Sequence, residues 1–114
     1  MINSKLIEIF QTLEIPIYWI EYNGEEMQYI IFQTINQDNI NHFDDLAHSE
    51  NIEISLVYWF NESVEADIVE ENLNKIKVLL KENNFIKLEE KDLKDENYYG
   101  RSFLYSYVRD IEGL

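Results

Sequence analysis

Residues 51–85 constrain the fold more than any other stretch, because two clear periodicities follow one another there. In NIEISLVYWF, Ile52, Ile54, Leu56, Tyr58 and Phe60 fall on alternate positions, the period of a strand with one buried face. From about Val64 to Asn83, Val69, Leu73, Ile76 and Leu80 recur at steps of four, three and four, with Leu79 widening the stripe. That spacing predicts an amphipathic helix. Acids crowd its first half and lysines its second, which complements the helix macrodipole. Asn61, Glu62 and Ser63 offer short polar capping groups before it. Asn83-Asn84 suits a left-handed stop, and Phe85 can fold back on the last turn. A charge at Leu73 is then expected to unfold the domain, since Leu73→Asp buries an unpaired carboxylate.

The flanking segments are shorter and less regular. Ile2, Leu6, Ile9, Phe10 and Leu13 sit at helical spacing, and Pro16 is expected to end that helix. Ile17 to Tyr22 reads as a strand, Asn23-Gly24 as a hairpin turn, and Met27 to Thr34 as the return strand. Residues 36–49 break every pattern and are expected to be a mobile loop, unusually long for so small a domain. After the long helix, IKLEEKDLKDEN reads as a short strand and a charged connection. Phe103, Tyr105 and Tyr107 then alternate along a final strand with an aromatic face. The sum is one domain over 1–114 of α+β class: an antiparallel or mixed sheet of four to five strands, with two helices packed on one face.

Composition narrows the functional classes. The chain has no cysteine, so disulfides and thiolate metal sites are excluded. No segment approaches the ~18 uninterrupted apolar residues of a membrane helix, and MINSKLIEIF lacks the marks of a signal peptide, so a cytosolic site of synthesis is expected. Nine basic against 23 acidic residues give a formal charge of −14. Phosphate binding needs lysine and arginine to displace counterions, so neither nucleic acid nor an anionic membrane is an expected partner. The imbalance is steepest before Asn61, where Lys5 is the one basic residue against ten acids. A solubilising surface, a surface that faces DNA without holding it, and a DNA mimic all fit that charge.

Catalytic signatures are lacking. Glycines at 24, 100 and 113 cannot form a phosphate-cradling loop, and no G-x-S-x-G elbow is present. His42, Asp44, Asp45 and His48 are the one set with metal-ligand chemistry, but His42 and His48 are six apart and match no helical zinc motif. Neither an enzyme nor a cofactor is therefore expected. Large aromatics invite more attention. Val57 and Trp59 make the outer side of the central strand apolar toward its end, and Trp19 and the Phe103-Tyr105-Tyr107 row add further surface. Exposed aromatic patches mark protein interfaces, so these residues are candidate contacts.

Over nearly its whole length the chain resembles the tail-terminator, or head–tail joining, proteins of long-tailed phages and prophages of Gram-positive bacteria. The resemblance is carried by Leu13-x-Ile15-Pro16, by Tyr22-x-Gly24 leading into Tyr29-Ile30-x-Phe32, and by the central I-S-L-V-Y-W-F. A helix N-L-x-x-I-K-x-L-L-K-E-x-x-F follows over 72–85, then an acidic segment and aromatic strand over 92–107. Where relatives continue the central strand as tryptophan-serine-lysine, this chain has Trp59-Phe60-Asn61. The resemblance implies a structural homo-oligomer, typically a hexameric ring, that caps the tail tube and joins it to head-completion proteins. It would be assembled in the host cytoplasm and end in the virion. Residues 36–49, with His42, Phe43, Asp44 and Asp45, would reach a neighbouring subunit or the tube, and Val57, Trp59, Phe103, Tyr105 and Tyr107 would be further interface candidates. From the charge alone, the alternative is a small acidic inhibitor, an immunity protein or DNA mimic, that captures a basic partner as a monomer.

Overall fold

Central to the structure is β3 (Leu46–Asn61), whose neighbours in the sheet come from both ends of the chain. The computed structural model describes residues 2–22, 24, 26–43 and 46–110, with side chains described for 4–22, 24, 26–37 and 50–108. The elements run α1 (Ile2–Phe10), β1 (Ile17–Trp19), β2 (Gln28–Phe43), β3, α2 (Ala66–Glu82), β4 (Ile86–Asp95) and β5 (Tyr98–Asp110). One five-stranded sheet has the order β1-β2-β3-β5-β4. It is mixed: β1 runs parallel to β2, and every other pair is antiparallel. The fold is α+β.

The alternation seen in residues 52–60 sets the layers. Ile52, Ile54, Leu56 and Tyr58 are fully buried, joined by Ile30 and Phe32 of β2 and Phe103 and Tyr105 of β5. Against this face pack Leu6 and Phe10 of α1 and Val69, Leu73, Ile76 and Leu80 of α2, in one continuous cluster. Each such side chain contributes about 1.5–3 kcal/mol by leaving water. Among the described residues, Asn72 is the one buried polar side chain. Asn72 donates to the Tyr58 hydroxyl at 3.1 Å and to Gln28 Oε1 at 3.0 Å, while Tyr58 donates to the same Gln28 oxygen at 2.5 Å. Those mutual bonds satisfy groups that would otherwise be costly to bury.

The end of α2 follows expectation closely. Asn84 takes φ 68°, Phe85 N–H donates to Leu80 O at 2.9 Å and Asn84 N–H to Lys81 O at 3.1 Å, the two bonds of a Schellman stop. Its start differs. Glu65 occupies the cap without a side-chain bond, and Asn61 Oδ1 instead accepts from Ser63 N–H and Ser63 Oγ at 2.8 Å. Asn61 thus closes the turn that leaves β3, too early to reach the first amides of the helix.

Four further expectations need correction. Asn23-Gly24 does not join a hairpin: β1 is parallel to β2, so the chain returns to the start of β2, and Asn23 itself lies outside the described residues. Because β1 is only three residues long, this return is short enough to need no crossover helix. α1 stops at Phe10, well before Pro16, whose carbonyl instead accepts from Ile30 N–H at 2.8 Å. Residues 36–49 are not a loop. β2 and β3 remain paired out to Phe43↔Leu46, so the polar segment is a long hairpin arm, and Asp44 and Asp45 lie outside the described residues. Polar residues can hold a ladder through backbone bonds alone, which hydropathy patterning does not register. Finally, residues 86–95 form one unbroken strand with a bulge between Lys87 and Glu89, where a short strand and a connection were expected.

Candidate functional site

Both helices occupy one face of the sheet, and among the described residues no helix packs on the other. That open face is lined by the outward positions of every strand. Trp59 lies over Gly100, so closely that a Cβ at residue 100 would come within 2.8 Å of its ring. Glycine is required there by the close approach of the indole. On the same face Val57 lies across from Ile31, and Leu104, opposite Ser55, lies further along β5; all three are half-buried.

A row of tyrosines continues the patch across one end of the sheet. Tyr18 stacks on Tyr22 at 4.3 Å, Tyr22 meets Tyr29 at 4.6 Å, and Tyr29 meets Tyr98 at 5.8 Å. Glu26 ties the row together: its side chain accepts from Tyr18, its N–H donates to Tyr22, and its carbonyl accepts from Tyr98 at 2.7 Å. Burial, with help from neighbouring Tyr98 and Asp95, pushes the Tyr29 phenol up. An amphipathic ring patch of this kind suits a protein contact that keeps some water.

The sequence-derived candidates divide. Val57 and Trp59 lie on the open face as expected. Phe103 and Tyr105 do not form a surface: they are 1% and 2% exposed in the core, and Tyr107 stacks on Phe85 at 4.7 Å on the helix side. The register explains the correction. Phe103, Tyr105 and Tyr107 pair with Leu56, Ile54 and Ile52, so the row faces the helices. Alternation shows which residues share a face, but not which face. His42 and Phe43 are placed in β2 by backbone only, and Asp44 and Asp45 lie outside the described residues. Among the described residues no cluster of three or more His, Asp or Glu could hold a metal ion. The tyrosine row was missed because it depends on the parallel placement of β1, which local sequence does not signal.

On the helix side a groove of about 930 Å³ opens between the start of α2 and β5, lined by Phe60, Val64, Leu73, Tyr99 and Arg101. Next to it Glu90 gathers three cations. Lys77 of α2 lies 3.2 Å away, Lys87 lies 2.8 Å away, and Arg101 bonds both Glu90 and Asp92. Burial alone pushes the Glu90 carboxyl up, but hydrogen bonds from Lys87, Arg101 and Lys77 outweigh it and pull it down to about 2. A depressed carboxylate stabilises the fold above its ordinary value near 4.5 and loses that contribution as pH falls toward 2. Glu90→Gln is therefore expected to lower stability by about 1–2 kcal/mol at pH 7, after allowance for solvent screening. Near pH 2 it should match the wild type. Urea unfolding at both pH values checks this; an equal loss at each would place the effect in packing instead of charge.

No helix among the described residues is long and apolar enough to cross a membrane. No protein-family model matches the chain, and no curated protein matches its sequence.

Proposed function

We propose that this chain is a structural phage or prophage protein: a tail-terminator or head–tail joining subunit that closes into a ring at the head-proximal end of the tail. The observation that carries the reading is the shape. The molecule measures 55 × 24 × 22 Å because β2 and β3 run on as an arm past the helices, while one sheet face keeps an uncovered aromatic patch. An arm and a patch are what a subunit needs in order to touch two neighbours at once. The arm serves assembly, the patch with Val57 and Trp59 is buried against a neighbour or the tail tube, and no catalysis or cofactor is involved. A charge of −14 on each subunit fits a ring through which DNA passes without sticking. The protein works in the host cytoplasm during assembly and then at the head–tail junction.

The test is electron microscopy of the purified protein, alone and with isolated tail tubes, alongside light scattering across a concentration series. Rings that seat on one end of the tubes are the expected result. A strict monomer that ignores tubes and captures a basic nuclease with nanomolar affinity would replace this reading by the acidic inhibitor.

A further inference from the structure

The eight tyrosines of the chain divide by face. Tyr58 and Tyr105 are buried in the core. Tyr99 and Tyr107 lie on the helix side, and each has a lysine over its ring: Lys94 at 5.5 Å from Tyr99 and Lys5 at 5.3 Å from Tyr107. The other four, Tyr18, Tyr22, Tyr29 and Tyr98, form the row at the end of the open face. Among the described residues no cation lies over any of these four rings.

Local backbone holds the row in place. Glu21 N–H donates to Trp19 O at 2.9 Å across Ile20, whose φ is 70°. That is the rare, strained form of the three-residue turn, and a β-branched residue suits it poorly. The turn brings Tyr22 back over Tyr18. Gly24 permits the approach, since a Cβ there would fall 1.7 Å from the Tyr22 hydroxyl. Glu26 then fixes three hydroxyls. Its carboxylate accepts from Tyr18 at 3.1 Å, its N–H donates to Tyr22 at 3.0 Å, and its carbonyl accepts from Tyr98 at 2.7 Å. The second carboxylate oxygen of Glu26 has no partner among the described residues. Strain of this kind persists where the surroundings over-determine it, and it clusters at binding sites.

Charge then selects the occupant. No lysine or arginine occurs between Lys5 and Lys75, so β1, β2 and β3 bring no cation to the row. Glu26 and Asp95, whose charge acts on Tyr29, bring carboxylates. On the open face β4 carries Lys91, but it stands opposite Ser102, roughly 13 Å along the strand from Asp95. Arg101 is engaged with Glu90 and Asp92 on the helix side. A ring face attracts a cation through its quadrupole. A planar, weakly hydrated guanidinium stacks on tyrosine while its N–H groups reach a carboxylate, which a compact, strongly hydrated ammonium does less well. We propose that the tyrosine row and Glu26 form a docking site for an arginine side chain of a partner protein. The guanidinium stacks on the row and donates to the second oxygen of Glu26. This goes beyond the ring reading: it names the chemistry that a partner must present and does not depend on ring closure.

The test is an amide NMR titration of the full chain with a capped peptide of alternating arginine and glycine, beside the same peptide carrying lysine or the neutral isostere citrulline. Trp59, the cross-strand partner of Tyr29, places an indole N–H reporter next to the row. The arginine peptide is expected to shift that indole and the amides of Tyr18, Tyr22, Glu26 and Tyr29, the lysine peptide to bind more weakly, and the citrulline peptide not to bind. Glu26→Gln keeps an acceptor for Tyr18 and should weaken arginine binding about threefold to tenfold. Glu62→Gln removes the same unit of charge from an exposed position beside the groove on the helix side, and should leave binding unchanged. Should Glu26→Gln unfold, which the dispersion of the same spectra reveals, Asp95→Asn at an exposed position replaces it with the same expected direction. Equal weakening by the Glu26 and Glu62 variants would mean that the peptide answers only to the net charge of −14, and overturns the proposal. Citrulline binding as tight as arginine, shifts centred away from the row, or none at about 10 mM peptide overturn it too. Row signals that move with protein concentration in the absence of peptide would give the row to a second copy, which also overturns it. Ring formation and seating on tubes are read separately by microscopy, so these failures leave that reading standing.

Discussion

Ile76→Asp is expected to leave no folded protein at 25 °C. Ile76 is fully buried at the middle of α2, facing the strand residues that form the heart of the core. Removing the aliphatic group forfeits about 2–5 kcal/mol, and an unpaired buried carboxylate adds about 3–5 kcal/mol or drives its own protonation. That sum rivals the whole stability of about 5–15 kcal/mol usual for a domain. Leu73→Asp, the change suggested by the helical stripe, is expected to cost less. Leu73 borders the open groove together with Lys77 and Arg101, so a carboxylate there has water and two cations within reach. Far-UV circular dichroism and urea titration separate the two: loss of the transition for Ile76→Asp, and a shifted but cooperative one for Leu73→Asp. Equal damage would mean that the groove does not admit solvent to residue 73.

Cutting the arm back should have the largest effect on assembly and little on the fold. Replacing residues 40–49 by Asn-Gly joins Asn39 to Glu50, which already face one another across the ladder, through a two-residue turn suited to antiparallel strands. Every described core residue lies outside the excised stretch. The thermal midpoint should therefore fall by no more than a few degrees, the equivalent of about 1 kcal/mol for a domain of this size. If the proposed ring reading holds, ring formation and seating on tail tubes should be lost. Light scattering and thermal denaturation of the same sample decide the matter. A variant that assembles normally would remove the arm from the mechanism, and one that unfolds would make it part of the core.

Much of the fold was legible because burial writes a period into the chain. Ile52 to Tyr58 announced β3 and the stripe Val69–Leu73–Ile76–Leu80 announced α2, and both are buried as their spacing requires. The Schellman stop at Asn84 was readable for a local reason, since an asparagine pair tolerates positive φ. The arm was illegible for the opposite reason. Residues 38–43 pair with 46–51 through backbone groups that every residue possesses, so side-chain pattern is silent.

The sequence by itself determined the class, the central strand and helix, and the segregation of charge, with Lys5 the one base before residue 61. These are properties of single segments, set by periodicity and composition. Tertiary structure alone decided three things. It turned Phe103 and Tyr105 inward, because register with β3 determines which face of β5 meets the helices. It set β1 parallel to β2, which gathers Tyr18, Tyr22, Tyr29 and Tyr98 into one row. It also carried the cation-free strands to one edge of the sheet and the lysines of β4 to the other. Strand order is a long-range choice, made by the total burial of the assembled core, and no local run of residues encodes it.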